Sequence, residues 1–355
     1  TSLFSDPIDV VSVAGNKGFQ EFLKLGENLP IRIFQVVPGG LPVDAKFSNS
    51  KSLTLSQEKT AVKHPHVLGL GEVFSWTKVT LREPNTMKSL SSMLECDCII
   101  NGHTAGASEK KLNAYVSSGI LSCHEPINFD QVLERLRLGM WIMIREGSIR
   151  RDLNEIIPRV LSHGTYLNRL MFCSDGLDPL DITKFGHIDH CIRESIRHGL
   201  KPIDAVTIAS KNNFDYYNMG KDLGGIAPGK LADILIFDDL KSFKPTKVFV
   251  GGKLIISNGR FVIPIKKKPI PSWIKKTVKL KNFSKNDFLI KSKKKNVLAN
   301  TIFMQSEIIT KIGSSELQSI DGNVSASLNS DVWKVAAFDR IHGTNRHSIG
   351  FLENF

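Results

Sequence analysis

The apolar positions of this chain fall into short runs of strand length, separated by stretches whose apolar residues recur at helical spacing. The first run, Ser2-Leu3-Phe4-Ser5, ends at Asp6-Pro7. Residues 16–27 then carry Phe19, Phe22 and Leu23 at helical spacing and close near Gly26. Further strand runs occupy residues 31–37, 67–74, 96–103, 120–124, 141–147 and 169–175, which brings the strand candidates to seven. Residues 108–118, 129–140, 150–162, 187–198 and 202–212 have helical spacing. Strands alternating with helices predict βαβ units and a parallel sheet. Eight such strands would close a (β/α)8 barrel, and the eighth is expected before Thr1. Residues 232–237, 247–250 and 253–256, with Gly251-Gly252 as a turn, predict a small β unit. The expected organisation is a barrel over 1–225, a small β unit over 226–265, and a lysine-rich connection leading into a C-terminal α/β domain over 266–355.

Composition is consistent with this picture. With 355 residues, 41% hydrophobic and 23% charged, the chain can bury a sizeable core, which excludes a disordered or fibrous class. No uninterrupted apolar run approaches the roughly 18 residues that span a bilayer, so no membrane partner is expected. Five cysteines, mostly inside apolar runs, suit reduced thiols and a cytoplasmic location. The net charge of +12 is concentrated: residues 266–295 hold twelve lysines, no arginine and one acid, Asp287. Trp273, Phe283 and Phe288 lie among those lysines, a composition that could track a polyanion. Without arginine, the residue of choice for phosphate and base contacts, an exposed connection is the simpler reading.

The chemistry sits where the strand runs end. Gly71-Glu72, Gly102-His103, Cys123-His124-Glu125 and Ser174-Asp175 each close one, and side chains at the C-terminal ends of parallel strands point into the crevice where ligands bind. Two histidines, a glutamate and an aspartate match the ligands of zinc, manganese or iron, ions that lower the pKa of a bound water. Asp175 is the candidate base, Glu72 a carboxylate with two oxygens to share between ions, and Glu125 a group able to handle a second proton. Spacing alone leaves open that each is a solvated or internally satisfied side chain.

Longer words in the sequence narrow the choice. Asn101-Gly102-His103-Thr104-Ala105-Gly106, Leu112-Asn113-Ala114-Tyr115, Cys123-His124-Glu125, Leu136-Arg137-Leu138-Gly139-Met140, Ile144-Arg145-Glu146-Gly147-Ser148, Cys173-Ser174-Asp175 and Gly186-His187-Ile188-Asp189-His190 occur in order. The segment that carries them resembles the adenine deaminase family of the amidohydrolase superfamily, with weaker similarity over nearly the whole chain. This resemblance implies a metal-dependent-hydrolase (β/α)8 TIM-like barrel with a small β domain after it, and hydrolysis of adenine to hypoxanthine and ammonia in purine salvage. It implies a divalent-metal centre, with two ions of manganese, iron or zinc. Glu72, His103, His124 and Asp175 would be the metal ligands, and Asp175 and Glu125 the catalytic groups.

Departures from the family pattern accompany the matches. The family's His-x-His pair on the first strand has no counterpart here, since this chain starts around the second strand. Ile8 and Asp9 stand where the family has His and Glu, Gly176 where a second Asp follows, Asp178 where a His is common, and Cys123 where an Asp is usual. Hence the alternatives: a silent or substrate-shifted relative serving as a scaffold, or a polyanion-binding protein using the 266–295 lysines. Arg145, His187 and His190 are candidate substrate contacts; equally, His187 and His190 could hold the loop bearing Asp175, and Arg145 could simply pair with Glu146. The expected partner is a small-molecule purine, with a homo-oligomer possible and nucleic acid not expected.

Overall fold

The computed structural model describes residues 1–27, 29–42, 48–240, 242–265, 268–280, 282–305, 310–326 and 331–355. Lys266 and Lys267, at the head of the lysine block, lie outside the described residues, as does Lys281. The chain forms two compact units, Thr1–Pro269 and Ile270–Phe355.

The first unit begins with seven parallel strands: β1 (Ser2–Ser5), β2 (Arg32–Val37), β3 (Val67–Val73), β4 (Ile99–Gly102), β5 (Ser122–Cys123), β6 (Trp141–Arg145) and β7 (Leu170–Cys173). They form two parallel sheets, β1-β2-β3-β4 and β5-β6-β7, each in sequence order. At the junction the Gly102 amide donates to Ser122 Oγ at 3.4 Å. A Cβ at Gly102 would lie 2.5 Å from the Ser122 carbonyl oxygen, so only glycine lets β4 and β5 come this close. The helices are α1 (Ile8–Gly26), α2 (Leu55–Ala61), α3 (Trp76–Thr80), α4 (Pro84–Glu95), α5 (Glu109–Val116), α6 (Phe129–Arg137), α7 (Leu153–His163), α8 (Pro179–Phe185), α9 (Ile188–Arg197), α10 (Pro202–Ala209) and α11 (Lys211–Tyr216).

Burial follows the two-sided pattern expected of strands covered by helices. One outer core packs Ile142, Ile144, Leu170 and Phe172 against Leu112, Val132, Ile156, Ile157, Val160 and Ile208; a second packs Val37, Leu70, Val73 and Ile100 against Val11, Phe19, Leu90, Met93 and Tyr115. Each such aliphatic side chain contributes about 1.5–3 kcal/mol relative to exposure. Alternate residues of the same strands, Phe4, Val36, Leu68, Ile99, Met143 and Met171, pack on Tyr216 and Tyr217. Tyr217 stacks on Phe4 at 4.5 Å, and Asn101 donates to Tyr217 Oη at 3.2 Å while accepting from Tyr216 Oη at 2.7 Å.

A four-stranded antiparallel sheet of β8 (Ile234–Phe237), β9 (Pro245–Val250), β10 (Lys253–Ser257) and β11 (Arg260–Phe261) completes this unit, and Arg32 forms an ion pair with Asp233. In the second unit, β12 (Ile290–Lys291), β13 (Asn296–Met304), β14 (Thr310–Ile320), β15 (Asn323–Ser325), β16 (Val332–Phe338) and β17 (His347–Glu353) form one sheet in the order β12-β15-β14-β13-β17-β16. Among the described residues only β13 and β17 pair in parallel in this sheet. Leu317, Val324, Val332 and Phe351 are its buried centre. Its described residues contain 3-10 turns and no α-helix. The described lysines between 268 and 295 are exposed. Phe283 and Phe288, which the sequence interleaves with them, pack on Phe338 with ring centroids 4.5 and 5.8 Å away.

Candidate metal centre and active site

Five side chains meet at the C-terminal ends of β3, β4, β5 and β7. The β3 end carries Glu72, one residue past β4 is His103, His124 and Glu125 follow β5 directly, and Asp175 lies two residues beyond β7. His103 Nδ1 is 3.4 Å from Glu72 Oε2, and its Nε2 is 3.5 Å from Glu125 Oε2. His124 Nε2 faces Glu72 Oε1 at 3.6 Å, Glu125 Oε1 at 3.3 Å and Asp175 Oδ2 at 4.0 Å. Two triads, Glu72-His103-His124 and His124-Glu125-Asp175, thus bring one ligand atom per residue within 4.8 Å of each other. Such mixed nitrogen and oxygen sets fit a divalent ion of the zinc, manganese or iron type, and His124 belongs to both.

The backbone around these side chains is tied down by groups with no periodic signal. Tyr115, fully buried on α5, accepts from the His103 amide at 2.9 Å and donates to the Val73 carbonyl at 2.8 Å, bridging the loops after β3 and β4. Asp6 Oδ2 accepts from the Glu72 amide at 3.1 Å. A Cβ at Gly71 would sit 2.1 Å from that same oxygen, so a side chain there must displace the carboxylate that holds the Glu72 amide. Burial, helped by the nearby charge of Glu72, pushes the Asp6 carboxyl up to about 7. Arg135, buried on α6, donates to the carbonyls of Thr104 and Ala107 at 3.2 and 2.8 Å and to Thr104 Oγ1 at 3.2 Å. Thr104 Oγ1 lies 2.7 Å from Cys123 Sγ, which accepts from the Glu125 amide at 3.3 Å. Cys123 therefore occupies its position as a bonded part of the scaffold. Asp175 adopts φ 53°, a left-handed conformation that bulky residues avoid and that clusters at functional sites.

Charge in the cluster is redistributed by burial and by neighbours. Burial alone would raise the Glu125 carboxyl, but the hydrogen bond from His124 and the cations His103, His124 and Arg145 bring it down to about 2. Burial opposes the His124 cation, yet Glu125, Glu72 and Asp175 together raise its pKa. For Glu72 burial is likewise outweighed, by the hydrogen bond and charge of His103 and by His124, so its carboxyl is lowered.

Arg145 sits at the end of β6 with its side chain 2% exposed. Its Nη1 donates to Glu125 Oε1 at 2.6 Å and to Asp175 Oδ2 at 3.3 Å, and its Nε donates to Asp152 Oδ2 at 3.0 Å. The remaining nitrogen, Nη2, is buried without a hydrogen-bond partner among the described residues. Arg145 thus reaches Glu125 and Asp175, two of the three carboxylates of the cluster, and is walled from solvent; its side-chain bonds are to these and to Asp152, not to Glu146. His187 Nε2 lies 3.1 Å from Ser174 Oγ, beside Asp175, and burial lowers its pKa. His190 lies apart from the cluster, stacked on Phe185 at 5.4 Å and 3.7 Å from Glu146 Oε1.

A family model described as the amidohydrolase family matches residues 1–255. The chain belongs to the amidohydrolase family. Among curated proteins, it is similar to one from Cenarchaeum symbiosum named adenine deaminase, 58% identical over the full chain and 58% of that protein. A protein of the same name from Kosmotoga olearia is 33% identical over 99% of this chain and 60% of its own length. The chain therefore spans under two thirds of the length of either relative. Among solved structures, a β-aspartyl dipeptidase from Fervidobacterium islandicum AW-1 superposes with a TM-score of 0.55 at 16% identity, covering 75% of this chain and 76% of its own. At that identity the likeness is one of fold, and it is the α/β barrel fold expected for an amidohydrolase. Within the family frame the two triads are the candidate metal-binding groups. No helix among the described residues is long and apolar enough to cross a membrane.

Proposed function

We propose that this chain forms the catalytic part of a divalent-metal-dependent adenine deaminase, which replaces the C6 amino group of adenine by oxygen from water and yields hypoxanthine and ammonia in purine salvage. The observation that carries the reading is the convergence of Glu72, His103, His124, Glu125 and Asp175 at four strand ends. The 58% identity to a protein of that name supports the choice of substrate.

In this reading Glu72, His103, His124 and Asp175 would hold the divalent metal, two ions of manganese, iron or zinc. Such ions supply Lewis acidity and make water a better acid. The chain's own residues move protons. Hydration of C6 forms one C–O bond and breaks the C6–N1 π bond; Asp175 accepts the proton that water releases and returns it to N1. The exocyclic nitrogen must gain a proton before the C–N bond breaks and ammonia departs. Glu125, held ionised by His124 and Arg145, serves here as a shuttle that takes the proton of the new C6 hydroxyl as the carbonyl forms and passes it to the leaving nitrogen. Arg145 and His187 act on substrate through Glu125, Asp175 and the Ser174 loop.

The test is a substrate panel. Purified protein including its flanking sequence, supplied with manganese, is incubated with adenine, adenosine, guanine and cytosine in 18O-labelled water. One 18O in hypoxanthine, with adenine preferred, supports the proposal. Turnover of another member only would favour a substrate-shifted relative, and no turnover of any would favour a silent one.

A further inference from the structure

We infer that Asp152, which is buried and bonds no member of the ligand cluster directly, is the positioning residue that aims Arg145 at the two proton-handling carboxylates. The inference rests on the functional reading above for the roles of Glu125 and Asp175, and on geometry alone for the rest.

Asp152 stands at the N-cap position of α7, where an aspartate ordinarily accepts from the first helix amides. Here its side chain makes no capping bond. It faces the arginines instead: Oδ2 accepts from Arg145 Nε at 3.0 Å and Oδ1 from Arg150 Nη2 at 3.2 Å. The Asp152 amide also donates to the Arg145 carbonyl at 2.9 Å, so backbone and side chain grip the same residue. Asp152 is 4% exposed. Forgoing the cap at a buried position while bonding a buried arginine is a costly arrangement for helix stability alone.

The guanidinium is a rigid plane, so fixing Nε fixes where Nη1 points. Nη1 lies between Glu125 Oε1 and Asp175 Oδ2, 2.6 and 3.3 Å away. Three carboxylates therefore share one buried cation, Asp152 holding it through Nε and the other two through Nη1. With Asp152 neutral, Arg145 has only Glu125 and Asp175 as counter-charges; it draws their oxygens more firmly and withdraws them from the ligand cluster. Outer partners of this kind typically carry about 10–100-fold in metal affinity or activity.

The experiment uses the protein with its flanking sequence and the variants Asp152→Asn and Arg150→Gln. Manganese affinity is measured by calorimetry on metal-stripped protein, which needs no substrate, and kcat and KM for adenine are measured separately. For Asp152→Asn, manganese affinity is expected to fall about 10–100-fold and kcat to fall similarly, with KM within about twofold of wild type. Arg150→Gln, less buried, is expected to move both quantities the same way by a smaller factor, and it carries the test if Asp152→Asn does not fold. Unchanged affinity and kcat in folded protein overturn the inference. A fall in manganese affinity in a protein whose wild type leaves adenine untouched upholds the inference and removes the adenine reading.

Discussion

Glu125 accepts a 2.6 Å hydrogen bond from Arg145 at one oxygen while its other oxygen lies 3.5 Å from His103 Nε2, so a single carboxylate joins a buried cation to the candidate ligand set. Its charge is the property that matters. Glu125→Gln retains an acceptor for Arg145 and removes proton transfer. The expected result is a kcat per bound manganese lowered about 10²–10⁴-fold, checked by steady-state kinetics normalised to metal analysis of the same preparation.

His124 contributes Nε2 to both triads, whereas His103 belongs to one. His124→Ala should therefore abolish stoichiometric metal binding, while His103→Ala should retain part of it. Equilibrium dialysis against manganese at pH 7.5 distinguishes the two.

Gly71 is expected to be intolerant of a side chain because its Cβ would lie 2.1 Å from Asp6 Oδ2. Gly71→Ala must displace the carboxylate that accepts the Glu72 amide. A loss of about 1–3 kcal/mol in urea unfolding is expected, as for overpacked sites, accompanied by weaker metal binding.

Glu146 is 8% exposed, and burial pushes its carboxyl up to about 7. The folded chain thus binds this proton more tightly than the unfolded chain does, so the group's contribution opposes folding increasingly as pH climbs from the ordinary carboxyl range through 7. Glu146→Gln should be more stable than wild type at pH 8.5 by about 1–3 kcal/mol, and the difference should vanish near pH 4. Urea denaturation at both pH values measures it.

The seven strand runs, and the polar residues at their ends that the structure brings together, were legible because a buried parallel strand needs a continuous apolar run and its end must turn polar. Periodicity says nothing of α2, which is seven residues long, or of α4, which buries only Leu90, Ser92 and Met93. Local chemistry does mark them: Thr54 and Gln57 form a capping box before α2, and Glu83 caps α4 ahead of Pro84 at its start. The helix expected over 16–27 begins at Ile8, with Gly15 non-helical inside it, because Asp6-Pro7 both ends β1 and opens the helix. Tyr115, Asp152 and the Arg135-Thr104-Cys123 chain were not legible as site residues, since their role lies in contacts between segments up to 42 residues apart. The direction of Arg145, toward Glu125 and Asp175 and away from Glu146, is likewise fixed only by packing.

Metal-dependent deamination by this cluster is tested most directly by titrating manganese into metal-stripped protein, carrying its flanking sequence, while following ammonia and hypoxanthine released from adenine. The expected result is activity that is absent without metal, rises with bound manganese, and yields the two products in equal amounts. Folded, manganese-loaded protein that releases no ammonia from adenine would contradict it.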